Sequence, residues 1–245
     1  MLLLGVGTIQ IEKDKSFAIF RIRDRVVLES VIFPIFDKYP LLTTKQFNYD
    51  KFKRFHAILS NNSLTKSEKD VLIFEIVNTL LPIDYISPAW SLVNNIVSNF
   101  DTASKVMSKL WLVGFTEAEA SFYLVSKSKD RLVHAFEITQ KLDLIVLTAI
   151  KYILHIKTNV QFKKSGYYTI VTTNSLPCVP KHWYCIENII QYYKNTMKGM
   201  KSLEYRIWHR SYAKDKGNFL ALNKIRNSVR LMKAKYITLN LTNYE

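Results

Sequence analysis

The chain has 245 residues, of which 48% are hydrophobic and 13% aromatic, which excludes a disordered polypeptide and allows one large domain or two small ones. The formal net charge of +15 indicates an anionic partner such as a nucleic acid. The least charged stretch, 76–100, contains Pro82, Asp84 and Pro88, so it is unsuited to crossing a membrane as a helix. We therefore expect no membrane partner.

The N-terminal part is predicted to form a β-hairpin followed by a helix. Residues 8–12 (TIQIE) and 16–23 (SFAIFRIR) alternate around a polar KDK turn, as two antiparallel strands do. Arg21 and Arg23 then share one face of the second strand. The run 28–39 (LESVIFPIFDKY) has helical periodicity.

The segment 59–104 differs in composition from the chain on either side of it. It contains Asn61, Asn62, a KSEK run and two prolines, which favour turns and chain breaks. We expect this segment to link two folded halves.

Residues 110–122 (LWLVGFTEAEASF) form the most informative segment of the chain. Gly114 and Ala118 are four residues apart, so on a helix they share a face that a second backbone can approach closely. The helix is expected to end near Glu119, where the helix dipole does not favour a carboxylate, and a bound cation would explain this acid. Taken alone, the segment is also explained by a buried helix with a solvated acidic end.

A second set of strands and helices follows this segment. Alternating residues predict two hairpins, 121–126 with 131–140 and 158–162 with 167–174. Helices are predicted at 142–154 and 185–195.

One face of the 121–140 hairpin carries groups suited to nucleic acid. Strand alternation turns Phe122 and Phe136 towards the helices and leaves the opposite face open. That open face is predicted to carry Val125, Val133 and Ala135 together with Tyr123, Lys127, Glu137 and Thr139. Such a mixture of charged, aromatic and small groups can contact base edges in the major groove. An ordinary solvated sheet face is the alternative.

Two parts of the chain resemble each other. Four residues, Lys38, Lys45, Tyr49 and Arg54, recur with the same spacing as Lys194, Lys201, Tyr205 and Arg210. Residues 4–22 also resemble 154–171 with one gap. The chain is therefore predicted to contain two copies of one unit, 1–58 and 105–212. The first copy lacks the elements that precede the hairpin in the second.

The C-terminal region is strongly basic. Between Lys194 and Lys235 there are twelve Lys or Arg residues and only two acids, Glu204 and Asp215, with aromatic residues interleaved. Residues 213–245 have no counterpart in the first copy and are predicted to form a basic helical extension that contacts phosphates. A solvated surface helix explains them equally well.

The string LVGFTEAEA at 112–120 resembles, position by position, the signature helix of the LAGLIDADG family of homing endonucleases and group I intron maturases. The resemblance covers about 1–58 and 105–212 and fits the two-repeat, intron-encoded branch of the family. It implies an α+β fold of pseudo-symmetric αββαββα repeats, whose antiparallel sheets form a saddle over nucleic acid. The first repeat is expected to be incomplete, as in an N-terminally truncated member.

The resemblance also implies site residues. Glu119 occupies the position of the acid that binds the catalytic divalent metal in this family. The metal is expected to be Mg²⁺ or a similar cation. Gln140 matches a position that orders the attacking water. Lys201 matches a lysine near the scissile phosphate, and Lys45 is its repeat partner. On the first half, Arg21 and Arg23 are expected to contact guanine or phosphate.

Two departures from the family pattern are visible. Ala120 stands where the family usually has Gly, so a left-handed helix exit there would be strained and could redirect Glu119. The signature occurs once, whereas double-strand cleavage in the family uses an acid from each of two signature helices. Missing upstream coding sequence, pairing of two chains through the Gly114/Ala118 face, or a decaying gene would each explain this.

The function implied is that of an intron-encoded, Mg-dependent, site-specific DNA endonuclease of intron homing, with or without RNA maturase activity. The alternative is a maturase that assists group I intron splicing without cleaving DNA, because RNA is recognised largely through its backbone and shape. The expected partners are double-stranded DNA, group I intron RNA and a second copy of the chain. Richness in Ile, Asn, Lys, Tyr and Phe indicates an AT-rich coding sequence and favours a mitochondrial, organelle-encoded protein.

Overall fold

The computed structural model describes residues 5–12, 17–174, 177–178, 183–199 and 201–242. The chain divides into two compact units: unit 1 comprises Met1–Ser91 with Ile237–Glu245, and unit 2 comprises Leu92–Tyr236. The division falls inside the segment 59–104, for which a linker is predicted. Within the described residues, no helix combines the length and the apolar character needed to span a bilayer.

Unit 1 contains one β-hairpin and a series of helices. β1 (Thr8–Glu12) and β2 (Phe17–Arg21) pair antiparallel, with Thr8 opposite Arg21. The predicted helix is present as three consecutive segments: α1 (Arg25–Val27), a π-helical turn (Leu28–Ile32) and α2 (Phe33–Lys38). Two longer helices and a 3-10 helix follow: α3 (Lys45–Ser60), α4 (Lys66–Asn78) and Pro88–Val93.

The start of α1 explains where the second strand ends. The Asp24 carboxylate accepts hydrogen bonds from the backbone N–H groups of Val26 (2.8 Å) and Val27 (3.2 Å), and this cap stabilises the helix start. The chain must therefore leave the sheet just after Arg21. Arg23 lies beyond β2 and does not share a strand face with Arg21, contrary to the prediction.

Unit 2 has the αββαββα order predicted for the second repeat. After α5 (Phe100–Val106), that order is α6 (Lys109–Glu119), β3 (Ala120–Ser128), β4 (Arg131–Gln140), α7 (Leu144–Ile153), β5 (Gln161–Lys163), β6 (Tyr167–Thr173) and α8 (Cys185–Tyr193). A short hairpin, β7 (Pro177–Cys178) and β8 (Trp183–Tyr184), precedes α8, and α9 (Lys201–Asp215) and α10 (Phe219–Thr242) follow it. The α+β class is confirmed, and α10 lies within the region 213–245 for which a helical extension is predicted.

The main sheet of unit 2 is antiparallel, with strand order β3-β4-β6-β5, and aromatic residues of α8 and α9 pack against one of its faces. Phe122 and Phe136 are buried on that face, where the Phe122 ring lies 5.1 Å from the ring of Trp208 on α9. Val133 and Ala135, predicted to lie on the open face, are buried instead. Both belong to β4, an inner strand whose neighbours cover small side chains.

The two units share a local arrangement in which a tyrosine hydroxyl contacts the backbone of a preceding helix. In unit 1 the Tyr49 hydroxyl lies 2.8 Å from Asp37 Oδ1 and 3.2 Å from the carbonyl oxygen of Phe33. In unit 2 the Tyr205 hydroxyl donates to the carbonyl of Ile190 (2.8 Å). In both, the tyrosine lies on a helix that begins at a lysine, Lys45 or Lys201.

Candidate metal and nucleic-acid site

Helix α6, which carries the LVGFTEAEA string, is fixed in unit 2 through one face. Leu112, Val113 and Thr116 are buried on this face. The hydroxyl of Thr116 hydrogen-bonds to the hydroxyl of Tyr193 on α8 (2.6 Å). Ser108 caps the helix start by accepting a hydrogen bond from the backbone N–H of Trp111 (3.2 Å). The position of the helix end is therefore set by buried contacts.

The opposite face of α6 is exposed. Gly114 and Ala118 lie on it, and Leu110 is 82% exposed. A Cβ built on Gly114 would meet no atom within 4 Å. The glycine is therefore not explained by packing inside the described chain, whereas a second backbone lying against this face would explain it.

Glu119 is the last residue of α6 and its carboxylate is exposed. No group among the described residues donates a hydrogen bond to this side chain or forms an ion pair with it. The next residue, Ala120, has an extended backbone (φ −89°, ψ 164°) and starts β3 directly. The expected strain of a left-handed exit at Ala120 is therefore wrong, because the helix passes straight into the strand without a left-handed residue.

Gln140 lies at the same end of the sheet as Glu119. Ala120 pairs with Ile138, so the chain that ends α6 lies beside the last residues of β4, of which Gln140 is the final one. Gln140 is partly buried and pairs with Tyr168 of β6. The strand register thus brings Glu119 and Gln140 to the same end of the main sheet of unit 2.

Lys201 is connected to the same end of α6 through a hydrogen-bonded loop. It is the first residue of α9 and is partly buried. In the loop before it, the backbone N–H groups of Lys198 and Gly199 donate to Glu117 Oε1 at 2.7 and 2.8 Å. Glu117 is two residues from Glu119, so a direct contact between α6 and the loop lies close to both predicted site residues.

Three further predicted cations lie in unit 1. Lys45 begins α3 and is exposed. Arg21 ends β2, and its Nη1 donates to Gln10 Oε1 on β1 (3.0 Å). Arg23 is exposed and follows the strand. Arg21 is therefore oriented by its neighbouring strand, whereas the Arg23 side chain makes no hydrogen bond or ion pair within the described part of the chain.

Polar side chains on the open face of the sheet form a hydrogen-bonded row across three strands. Tyr123 on β3 donates to Glu137 Oε2 on β4 (2.9 Å), and Thr169 on β6 donates to Glu137 Oε1 (3.0 Å). Thr139 also contacts Thr169 (3.4 Å between hydroxyl oxygens). Burial, followed by the adjacent carboxylate, raises the pKa of Tyr123, so its hydroxyl remains a donor. Lys127 lies further along β3 and is exposed.

The hydrogen-bonded row fixes the Glu137 side chain but does not use all of its acceptor positions. An ionised carboxylate has about four acceptor positions, and Tyr123 and Thr169 use two of them. Thr169 is not among the residues that the sequence predicts for the site. The alternation of residues 167–173 could have placed it on this face, but its contact with Glu137 depends on the pairing of β4 with β6.

The side chains near the end of α6 fit a cation that is shared with substrate. Among the described residues, no group of three or more His, Cys, Asp or Glu side chains could hold a metal together. Mg²⁺ is commonly bound by one or two carboxylates and completes its shell with water and substrate phosphate oxygens. An exposed carboxylate such as that of Glu119 fits this mode.

Comparison with known proteins identifies several relatives. A family model described as LAGLIDADG endonuclease matches residues 2–56 and 112–212. The chain is 35% identical over 236 residues to the probable intron-encoded endonuclease Cox1-I1b of Schizosaccharomyces pombe, covering 95% of this chain and 56% of that protein. It is 26% identical over 179 residues to the probable intron-encoded endonuclease 2 of Neurospora crassa, covering 66% of this chain and 37% of that protein. The chain therefore spans about half, or less, of the length of these relatives.

Solved structures share the fold. The meganuclease I-SmaMI bound to an uncleaved DNA target in the presence of calcium ions is 20% identical, with a TM-score of 0.69 over 92% of this chain and 79% of that chain. The LAGLIDADG meganuclease I-CpaMI bound to uncleaved DNA is 21% identical, with a TM-score of 0.64 over 93% of this chain and 81% of that chain. At these identities the likeness concerns the fold.

Proposed function

Because the chain belongs to the LAGLIDADG endonuclease family, we propose that it acts as a site-specific, metal-dependent DNA endonuclease encoded within a group I intron. The observation that carries this proposal is the exposed carboxylate of Glu119 at the end of α6, which has no partner among the residues that the structure describes. Helix α6 leads directly into a strand of the polar sheet face. Two relatives are named as probable intron-encoded endonucleases, which supports the same function.

Hydrolysis of a phosphodiester requires an oriented water and stabilisation of the charge that develops on phosphate. We propose that Glu119 holds a divalent cation, Mg²⁺, which when bound stabilises this charge. The carboxamide of Gln140 can accept a hydrogen bond from the attacking water and orient it. The ammonium group of Lys201 supplies further positive charge to the phosphate, and Lys45 has the corresponding role in the first repeat.

The open sheet face is proposed to contact the DNA target. Glu137 can accept a hydrogen bond from cytosine N4 and Thr139 can contact a base edge, while Tyr123 orients Glu137. Lys127 and Arg23 are exposed cations and suit phosphate contacts. Arg21, oriented by Gln10, suits a bidentate contact with guanine.

A complete double-strand site requires a second acidic helix, and we propose that self-association through α6 supplies it. The exposed Gly114 and Ala118 would allow two copies of α6 to approach closely. Each copy would then contribute one Glu119. The association is expected to depend on concentration, because the face that mediates it is small.

A second function, stabilisation of group I intron RNA, is favoured by the charge of α10. Lys224 and Arg230 are exposed on this helix, and Arg226 is partly buried beside them. These cations suit phosphate contacts that need no metal-binding acid. Splicing that survives Glu119→Gln but fails in Arg226→Glu/Arg230→Glu would support this role, and unchanged splicing in the double variant would exclude use of α10.

We also propose that the protein is encoded and acts in mitochondria. A relative from Saccharomyces cerevisiae that is 35% identical over 133 residues is named a mitochondrial protein. The abundance of Ile, Asn, Lys, Tyr and Phe supports an AT-rich organellar gene.

Cleavage of the intron-insertion sequence in the presence of Mg²⁺ tests the endonuclease proposal. The unaltered chain should produce a double-strand cut, and Glu119→Gln should abolish cutting while leaving DNA binding intact. Glu75→Gln, on an exposed part of α4, is the matched control and should cut normally. Absence of any cut under conditions in which the unaltered protein is folded and bound to this DNA would exclude the proposal.

A further inference from the structure

The side chain of Glu117 joins the end of α6 to the loop before α9. Its Oε1 accepts hydrogen bonds from two successive backbone N–H groups, those of Lys198 (2.7 Å) and Gly199 (2.8 Å). Its other oxygen, Oε2, is buried and has no hydrogen-bond partner among the described residues. Hydrogen bonds to a carboxylate are about twice as strong as neutral ones, so this contact holds the loop firmly.

The absence of a side chain at Gly199 is required by this contact. A Cβ built on Gly199 would lie 2.6 Å from Glu117 Oε2 and 3.1 Å from the carboxylate carbon. The backbone of Gly199 is not left-handed, so its conformation does not itself call for glycine. The residue is small because the carboxylate occupies the space that a side chain would need.

The contact is two residues away along the chain from each of the residues to which we assign the chemistry. Glu119 follows Glu117 by two residues, and Lys201 follows Gly199 by two residues. Two residues of extended chain span at most about 7 Å, so fixing Glu117 against Gly199 restricts where the Cα atoms of Glu119 and Lys201 can lie. We propose that Glu117 is a positioning residue that sets Lys201 relative to Glu119. This inference rests on the proposed function.

The corresponding loop of unit 1 is held in a different way. There the backbone N–H of Leu41 donates to Oε1 of Gln46, the second residue of α3 (2.8 Å). The second residue of α9 is Ser202, whose side chain is two carbons shorter. The loop of unit 1 is also held by Ser87 and Trp90, whose side chains donate to the carbonyls of Leu41 (2.5 Å) and Leu42 (2.8 Å). The loop of unit 2 differs in being held by a carboxylate from α6.

Hydrogen exchange and lysine labelling on the full-length protein test the positioning role without requiring cleavage. In Glu117→Ala, the amides of Lys198 and Gly199 should exchange about tenfold faster or more, because their acceptor is gone. Bound target DNA should protect Lys201 from acetylation in the unaltered protein, and this protection should be lost in the variant. Gly199→Ala retains the carboxylate but displaces it, and should give the same two results.

Cleavage kinetics supply a readout that a purely structural role would not move. In both variants the rate constant for cutting bound DNA should fall by about tenfold to a hundredfold, while DNA affinity and thermal stability change little. Glu117→Gln keeps one acceptor oxygen and should recover part of the rate, and Glu75→Ala is the control for loss of an exposed glutamate. In a Lys201→Ala background, Glu117→Ala should cause little further loss.

Unchanged amide exchange, or full Lys201 protection in both variants, would overturn the positioning role. A full additional loss of rate in the Lys201→Ala background would also overturn it. If the unaltered protein binds the target without cutting it, the endonuclease proposal fails, while exchange and labelling still decide the positioning role. If Glu117→Ala does not fold, Gly199→Ala provides the same measurements.

Discussion

The hydroxyl oxygens of Thr116 and Tyr193 lie 2.6 Å apart, and both side chains are fully buried. This hydrogen bond joins the helix that carries Glu119 to α8, beneath the sheet. Burial raises the pKa of Tyr193, so its hydroxyl is protonated throughout the physiological range. The contact therefore provides a fixed, uncharged link from the core to the end of α6.

Thr116→Val should lower the free energy of unfolding by about 1–3 kcal/mol, because it leaves the Tyr193 hydroxyl buried without a partner. Tyr193→Phe should have a cost of similar size. The double variant should lose less than the sum of the two, since it leaves no unpaired hydroxyl. Urea denaturation of all three variants measures this coupling, and strictly additive losses would contradict it.

The stability of the protein should fall in mild acid because of His134. This side chain is buried, and desolvation, followed by the charge of Lys216, lowers its pKa to about 4 from an ordinary 6.5. The Ser211 hydroxyl donates to the Trp208 carbonyl (2.9 Å), so Nε2–H of a neutral His134 donates to Ser211 (2.8 Å). The folded chain thus excludes a proton that the unfolded chain accepts.

The free energy of unfolding should therefore be fully retained above pH 6.5 and fall as the pH drops towards 4, by up to about 3 kcal/mol from this group. Equilibrium denaturation across this range measures the slope. His134→Asn should flatten it. His209→Asn is the matched control: its pKa is also lowered, but it is only partly buried, so most of the slope should remain. An equal slope in His134→Asn would contradict the assignment.

Substitutions on the open sheet face should affect either base preference or overall DNA affinity, depending on the residue. Glu137→Gln and Tyr123→Phe should each reduce discrimination at one base pair by about 1–3 kcal/mol. Glu137→Gln replaces the carboxylate that accepts from the base, and Tyr123→Phe removes the hydroxyl that orients this carboxylate. Lys127→Ala should weaken all targets equally and reduce the salt dependence by about one phosphate contact. Binding to a panel of single-base-pair variants distinguishes these outcomes, and a uniform loss in Glu137→Gln would refute its role in readout.

Substitutions of Gly114 should affect the folding stability of the chain and its self-association differently. Because a Cβ there meets no atom within 4 Å, Gly114→Ala should stabilise α6 by about 1 kcal/mol. Gly114→Leu should fold as well but block close approach of a second α6. Sedimentation and thermal unfolding of both variants test this. A loss of stability in Gly114→Ala would show that the residue is packed inside the chain.

Much of the local structure follows from the sequence. The alternation of residues 121–126 and 131–140 indicated β3 and β4, and the repeated lysine–tyrosine spacing indicated that the segments that form α3 and α9 are equivalent. These features are predictable because strand and helix periodicity depend on neighbours in the chain. The string at 112–120 likewise identified the family, because its order of small, apolar and acidic residues is specific.

The tertiary structure decided the features that depend on residues far apart in sequence. The register of β4 against β6 joined Thr169 to Glu137, and the inner position of β4 buried Val133 and Ala135. The approach of α6 to the loop before α9 provides Glu117 with two backbone donors. It also leaves no space for a side chain at Gly199. Periodicity assigns a side chain to a face, but only packing determines which distant group it contacts.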